Sequence, residues 1–203
     1  WRLDVPNEVH AINPSFWPQF RKVVKACKPE AYIVGEIWSE PEAWLNESLF
    51  DATMNYPLRK SILEFFVSET LSGTDFAKRL IGQQIRVPAV ALNSQFNLLG
   101  SHDTARLKTL AKGHHDKVMA IFAFLFCYPG TPVIYYGDEL GMRGGKDPQC
   151  RRSFPWSELT ENNALSNLIR SLSALRDKFK ALRNGTFKIK VSNDRIIAFE
   201  RQI

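Results

Sequence analysis

The stretch Ala31-Tyr32-Ile33-Val34-Gly35-Glu36-Ile37-Trp38 is an apolar run of strand length with one carboxylate near its far end. Burying an ionised Glu is costly, so that side chain needs a partner or a task. Two further runs have the same layout: Trp1-Arg2-Leu3-Asp4-Val5 before it and Phe96-Asn97-Leu98-Leu99-Gly100-Ser101-His102-Asp103 after it. Helical patterns separate the three, so the strands are read as parallel. Parallel strands bring Asp4, Glu36 and Asp103 out at one C-terminal edge of one sheet, where α/β folds carry their chemistry.

The rest of the chain repeats this alternation. Ser15 is a helix cap ahead of Phe16, Phe20, Val23 and Val24, and Lys28-Pro29 ends that helix. Phe50 to Pro57 is a weaker strand stopped by proline, followed by helical spacing at Leu58, Ile62, Leu63 and Phe66. A helix is expected over 75–81, another over 117–127, and a strand over Thr131-Pro132-Val133-Ile134-Tyr135-Tyr136-Gly137 that also runs into acids, Asp138 and Glu139. After a glycine-rich loop over 141–155 comes a helix from about Asn163 to Leu182. The period then changes to two, and Thr186 to Val191 with Arg195 to Glu200 reads as a β-hairpin. The expected class is therefore α/β, with residues 1–183 forming the C-terminal half of a (β/α)₈ barrel, a fold that takes ~250 residues when whole. Residues 184–203 are read as the beginning of an all-β sandwich domain.

Composition narrows the function classes. The 203 residues are 44% hydrophobic and 24% charged, as in an ordinary folded domain. The net charge of +6 comes from Lys and Arg dispersed along helical segments, without a basic cluster interleaved with aromatics, so nucleic acid is not the expected partner. No apolar run has the length of a membrane span. Cys27, Cys127 and Cys150 are an odd set without CxxC spacing, which speaks against a disulfide framework and a zinc site and points to a reducing, cytoplasmic setting. The opening directly on strand-like sequence suggests an internal piece of a longer protein.

Carboxylates at one rim suit glycoside hydrolysis, in which one attacks the anomeric carbon and a protonated one gives its proton to the leaving oxygen. Arg2 lies two residues from Asp4, on the same strand face, and is placed to hold Asp4 ionised. Glu36 sits among Ile33, Val34, Ile37 and Trp38, apolar surroundings of the kind that keep a carboxyl protonated and able to donate. Singly, each acid reads as well as a turn, a cap or a solvated strand end. Three such ends on three parallel strands, beside Arg2, Trp38 and His102, favour the catalytic reading.

Those same segments, with Leu99-Gly100-Ser101-His102-Asp103-Thr104 as the third, resemble in order and spacing three signature segments of the α-amylase family of glycoside hydrolases. Asn7-Glu8-Val9, Met54-Asn55-Tyr56, Ile134 to Glu139 and Asp147-Pro148-Gln149-Cys150-Arg151-Arg152 look like its neopullulanase, cyclomaltodextrinase and maltogenic amylase branch. The resemblance implies a retaining enzyme on α-1,4-glucosidic bonds of cyclomaltodextrins, maltooligosaccharides or pullulan. Asp4 is then the nucleophile, Glu36 the general acid/base and Asp103 the carboxylate steadying the transition state. Arg2 and His102 hold sugar and acids, Asn7, Glu8 and Trp38 lie on the leaving-group side, Tyr56 borders the cleft, and Asp147 and Arg151 grip a glucose opposite. It implies no cofactor and no metal among these residues, with a structural calcium placed, if anywhere, in the barrel's other half, and a homodimer for the intact enzyme. Pro6 stands where this branch more often has Ala, and its fixed φ and missing donor predict a loop of different shape after Asp4. Transglycosylation on the same glucans, and a non-catalytic sugar-binding relative, are the competing readings.

Overall fold

The computed structural model describes residues 1–203. Five short strands run parallel. β1 (Arg2–Leu3), β2 (Val34–Gly35) and β3 (Ala52–Thr53) pair in the order β1-β2-β3, and β4 (Phe96–Leu98) pairs with β5 (Thr131–Val133). A parallel bridge between Met54 and Phe96 joins the two groups into one succession.

Helices fill the crossovers: α1 (Pro6–Ile12) and α2 (Phe16–Cys27) after β1, α3 (Tyr56–Ile62), α4 (Gly73–Arg86) and α5 (Ala89–Leu92) after β3, and α6 (Leu107–Leu110) and α7 (His115–Cys127) after β4. Beyond β5 come α8 (Ala164–Lys178), α9 (Lys180–Asn184) and an antiparallel hairpin of β6 (Thr186–Ser192) and β7 (Ile197–Gln202). No helix is long and apolar enough to cross a membrane.

Period two divides the strand residues between two layers. On one face Val34, Ala52, Met54, Tyr56 and Leu98 pack together. On the other, Leu3, Ile33 and Phe50 pack against Trp17 of α2. Gly35 belongs to this second face, where a Cβ would stand 2.5 Å from two carbons of the Phe50 ring, so only glycine lets the two segments approach. The largest cluster lies among the helices, from Leu58 and Phe76 through Phe122 and Leu125 to Leu165 and Leu172. The hairpin is attached to it: Phe199 meets Phe124 edge-on at 5.8 Å, Phe187 meets Tyr128 at 5.1 Å, and Arg201 Nη1 donates to the Cys127 carbonyl at 2.7 Å.

Several expectations are corrected. The five parallel strands are two or three residues long, and the apolar runs continue beyond them into buried rim segments. The segment after Asp4 is not a loop: Pro6 takes the first helical position of α1, where its missing N–H would have had no intrahelical partner. On α2 the inward stripe is Trp17, which is buried, with Phe20 and Val24 partly buried beside it, while Phe16 and Val23 are exposed. Ser15 makes no side-chain cap, and its hydroxyl donates instead to Asn13 Oδ1. α3 widens into a π-helical turn over Leu63–Val67, and the long C-terminal helix is broken at Phe179.

Candidate active site

In β1 and β2, Arg2 lies opposite Val34 and Leu3 opposite Gly35, so the chain leaves the sheet at Asp4 and at Glu36 on neighbouring strands. Two residues beyond Val34, Glu36 keeps its face and is buried. The sequence neighbours Ile33 and Ile37 alternate away, which is why the carboxylate meets donors rather than an apolar wall. Oε1 is 2.9 Å from Arg2 Nη2 and accepts from Trp38 Nε1 at 3.3 Å, and Oε2 accepts from the Val5 backbone N–H at 3.2 Å.

The same guanidinium donates through Nη1 to Asp4 Oδ1 and through Nε to Met54 Sδ at 3.5 Å. One cation therefore holds the two acids in register. Its hydrogen bond is the main cause that holds the Asp4 carboxyl below the usual carboxylate range, with a further pull from His102. Asp4 is otherwise open to solvent, so the lowering owes nothing to burial. Val5 has φ 35°, ψ 50°, left-handed geometry rarely adopted by a β-branched residue, and this turn is what aims its N–H at Glu36.

The third acid follows β4. Ser101 N–H donates to Thr104 Oγ1 at 3.0 Å and Asp103 N–H to Ser101 Oγ at 3.2 Å, a tight turn that projects His102 and Asp103 from the rim. His102 Nε2 lies 3.2 Å from Asp103 Oδ2, and Arg151 Nη2 lies 3.4 Å from Oδ1. Arg151 Nε also reaches Asp147 Oδ1 at 2.7 Å and donates to the His102 carbonyl at 3.1 Å. Ser101 Oγ is 3.2 Å from the Tyr56 hydroxyl, which connects this turn to the Trp38 side of the rim.

Trp38, half exposed, stacks on Tyr56 with centroids 3.7 Å apart and planes 10° from parallel. Tyr56 is buried beneath it, and burial raises its hydroxyl pKa against the bond to Ser101. A groove of about 640 Å³ opens beside the stack, lined further by Lys60, Leu63, Glu64 and Leu110. Asn7 and Glu8 are exposed on α1 and bond to each other at 3.0 Å, with no hydrogen bond to the acids.

Asp138, at the end of the fifth strand segment, does not join the rim group. It is buried against Arg106, with Arg106 Nη1 3.0 Å from Oδ1. Sequence reasoning missed this pair, along with Val5, Met54 and Ser101. Asp138 was visible in the sequence as an acid after the fifth strand, but nothing there marked Arg106 as its partner.

Comparison with known proteins gives the family of the chain. The model described as "Alpha amylase, catalytic domain" matches residues 3–185. The chain belongs to the alpha-amylase catalytic-domain family. It is 45% identical over 196 residues to a cyclomaltodextrinase of Geobacillus thermopakistaniensis (strain MAS1), covering 97% of this chain and 33% of that protein. It is 40% identical over 188 residues to neopullulanase 2 of Thermoactinomyces vulgaris, covering 93% of this chain and 32% of that one. Among solved structures, the cyclic alpha-maltosyl-(1→6)-maltose hydrolase of Arthrobacter globiformis in ligand-free form superposes with a TM-score of 0.94 at 38% identity, over 100% of this chain and 45% of that one. The chain spans about a third of the length of the curated alpha-amylase relatives it matches.

Proposed function

We propose that this chain carries the three catalytic carboxylates of a retaining glycoside hydrolase acting on α-1,4-glucosidic bonds in cyclomaltodextrins, maltooligosaccharides or pullulan. The observation that carries the reading is the Arg2 guanidinium shared between Asp4 and Glu36 at the C-terminal ends of adjacent parallel strands. An exposed carboxylate held ionised by a cation is suited to attack. The buried Glu36 carboxyl on the neighbouring strand is then the group that exchanges a proton with the leaving oxygen.

In the first step an Asp4 oxygen attacks the anomeric carbon as the C–O bond to the leaving sugar breaks, and that oxygen takes the Glu36 proton. Asp103, fixed by His102 and Arg151, faces the positive charge that develops on the ring. In the second step Glu36 takes a proton from water, whose oxygen displaces Asp4 from the opposite face, so the α configuration returns. No cofactor is needed for either step. The exposed Trp38 face offers a platform for the leaving sugar, and by the same contact for an acceptor sugar in place of water. Transglycosylation is therefore the second reading. The hairpin of β6 and β7 we take as the start of an all-β domain, and the intact enzyme as a cytoplasmic homodimer.

The test is the anomer first released from β-cyclodextrin or maltotetraose by the intact enzyme, followed by proton NMR before mutarotation. The α anomer is expected. First release of the β anomer would end the double-displacement reading. Adding maltose at high concentration then separates hydrolysis from transfer by the appearance of products longer than the substrate.

A further inference from the structure

Arg106 is fully buried, as is its partner Asp138, and neither touches the rim acids. Its contacts run to three separate segments. Nη1 donates to the Tyr136 carbonyl at 2.6 Å and to Asp138 Oδ1 at 3.0 Å, and Nε donates to the Cys150 carbonyl at 3.0 Å. Its own N–H donates to the Gly144 carbonyl at 3.0 Å. The guanidinium lies over the rings of Tyr135 and Tyr136, 4.5 and 4.8 Å from their centroids.

The Cys150 segment leads directly to the third acid. Cys150 Sγ donates to the His102 carbonyl at 3.1 Å, and the next residue, Arg151, holds both that carbonyl and the Asp103 carboxylate. From the other side, Asp138 Oδ2 lies 3.0 Å from where a Cβ on Gly100 would stand, so the carboxylate is pressed against the start of the turn that projects His102 and Asp103. A buried ion pair is a poor device for stability alone, since apolar residues of like volume commonly serve as well. What apolar residues cannot supply is a rigid fork of donors that gathers carbonyls from several loops.

We propose that Arg106 and Asp138 are positioning residues that set the Asp103 carboxylate, through the Cys150–Arg151 turn, in the geometry the glycosidic transition state requires. The proposal rests on the glycosidase reading above and adds to it two residues that do not touch sugar. Glu139 and Arg59 are the other charged groups near Asp138, and the pair works within their field.

The experiment is a double-mutant cycle in the intact enzyme, with Arg106→Lys and the isosteric Asp138→Asn each made alone and together with Asp103→Asn. Misplacement of a catalytic group by ~1 Å costs on the order of 10²-fold, so each single positioning variant is expected to lower kcat by about 10–100-fold with KM changed far less. In the Asp103→Asn background, where no carboxylate remains to be placed, the same substitutions are expected to cost less than about threefold. Losses that simply multiply would show that the pair acts on folding alone and overturn the proposal.

A readout independent of turnover accompanies it. Alkylation of Cys150 with iodoacetamide, resolved from Cys27 and Cys127 by peptide mass, should speed up in Asp138→Asn if the pair holds the turn closed. Unchanged labelling with unchanged kcat would also overturn it, and Asp138→Asn serves should Arg106→Lys not fold. An Asp103→Asn enzyme as active as the parent would sink the glycosidase reading itself. In that case faster Cys150 labelling would show the turn held but no catalytic group placed by it.

Discussion

Replacing Glu36 by Gln isolates the proton-transfer role, because shape is kept while the exchangeable proton is lost. Its structural cost follows from the three donors on the carboxylate. Oε1 serves Arg2 and Trp38, and an amide oxygen placed there keeps both, but the amide NH₂ then faces the Val5 N–H, donor against donor. One partly buried unsatisfied donor costs about 1 kcal/mol, which lowers the Tm of the intact enzyme by at most about 2–4 °C. The catalytic cost is larger: general acid catalysis contributes ~10²–10⁴-fold, or about 2.7–5.4 kcal/mol of barrier. The assay compares kcat/KM for maltotetraose and for 2,4-dinitrophenyl maltoside in the intact enzyme. The natural substrate should lose the full factor, and the aryl glycoside, whose leaving group departs without protonation, should lose far less in its first step. Azide, a nucleophile that needs no deprotonation, should then restore turnover of the aryl substrate. Equal losses on both substrates, with Tm within a few degrees of the parent, would refute the assignment of Glu36 as the proton donor.

Gly35→Ala places a methyl 2.5 Å from two carbons of the Phe50 ring, and overpacking of that kind costs ~1–3 kcal/mol, so denaturant midpoints should fall and should recover in a Gly35→Ala, Phe50→Leu double variant. Asp51 pays a burial cost that its bonds to Lys25, the Ile33 N–H and Arg21 outweigh, so its folded pKa lies below its unfolded value near ~3.9. Its contribution is then present above that value and lost as pH falls through the folded pKa, and Asp51→Asn should lower Tm at pH 7 while flattening the acid limb of a Tm–pH profile. The 203-residue chain made by itself is expected to associate on gel filtration and to show no maltooligosaccharide turnover, because β1 and β5 each pair on one side only; turnover equal to the intact enzyme would contradict this.

The parallel order was legible because each strand run is apolar and each is separated from the next by a segment with helical period. The extent of the strands was not, since an apolar rim residue and an apolar ladder residue look alike in sequence. Leu99, for instance, is as buried as Leu98 yet lies outside β4. The inward stripe of α2 was misjudged for a related reason. Phe16, Phe20, Val23 and Val24 satisfy helical spacing as well as Trp17, Phe20 and Val24 do, and only the packing of Trp17 against Phe50, at 5.7 Å, decides between them. In the site, the strand-end acids followed from the parallel order, and the Arg2–Asp4 pairing from period two. The donors around Glu36 did not, because Val5 and Arg2 lie 31 and 34 positions away and meet it only through the strand register.

The segment after Asp4 shows how a proline directly beyond a strand end is accommodated. Proline there removes a donor and fixes φ, and both would disturb a loop that needed the N–H. As the first residue of α1 it needs none, and its carbonyl accepts from Trp17 Nε1 at 2.8 Å, which pins the helix start to α2. The strain falls instead on Val5, caught between the strand end and a fixed proline, and a left-handed non-glycine residue costs ~1–3 kcal/mol. That geometry is also what turns the Val5 N–H back toward Glu36 Oε2. The strand ends bearing Asp4 and Glu36 are thus tied twice, by the Arg2 side chain and by the main chain of Val5. The second tie persists whatever the ionisation of Asp4.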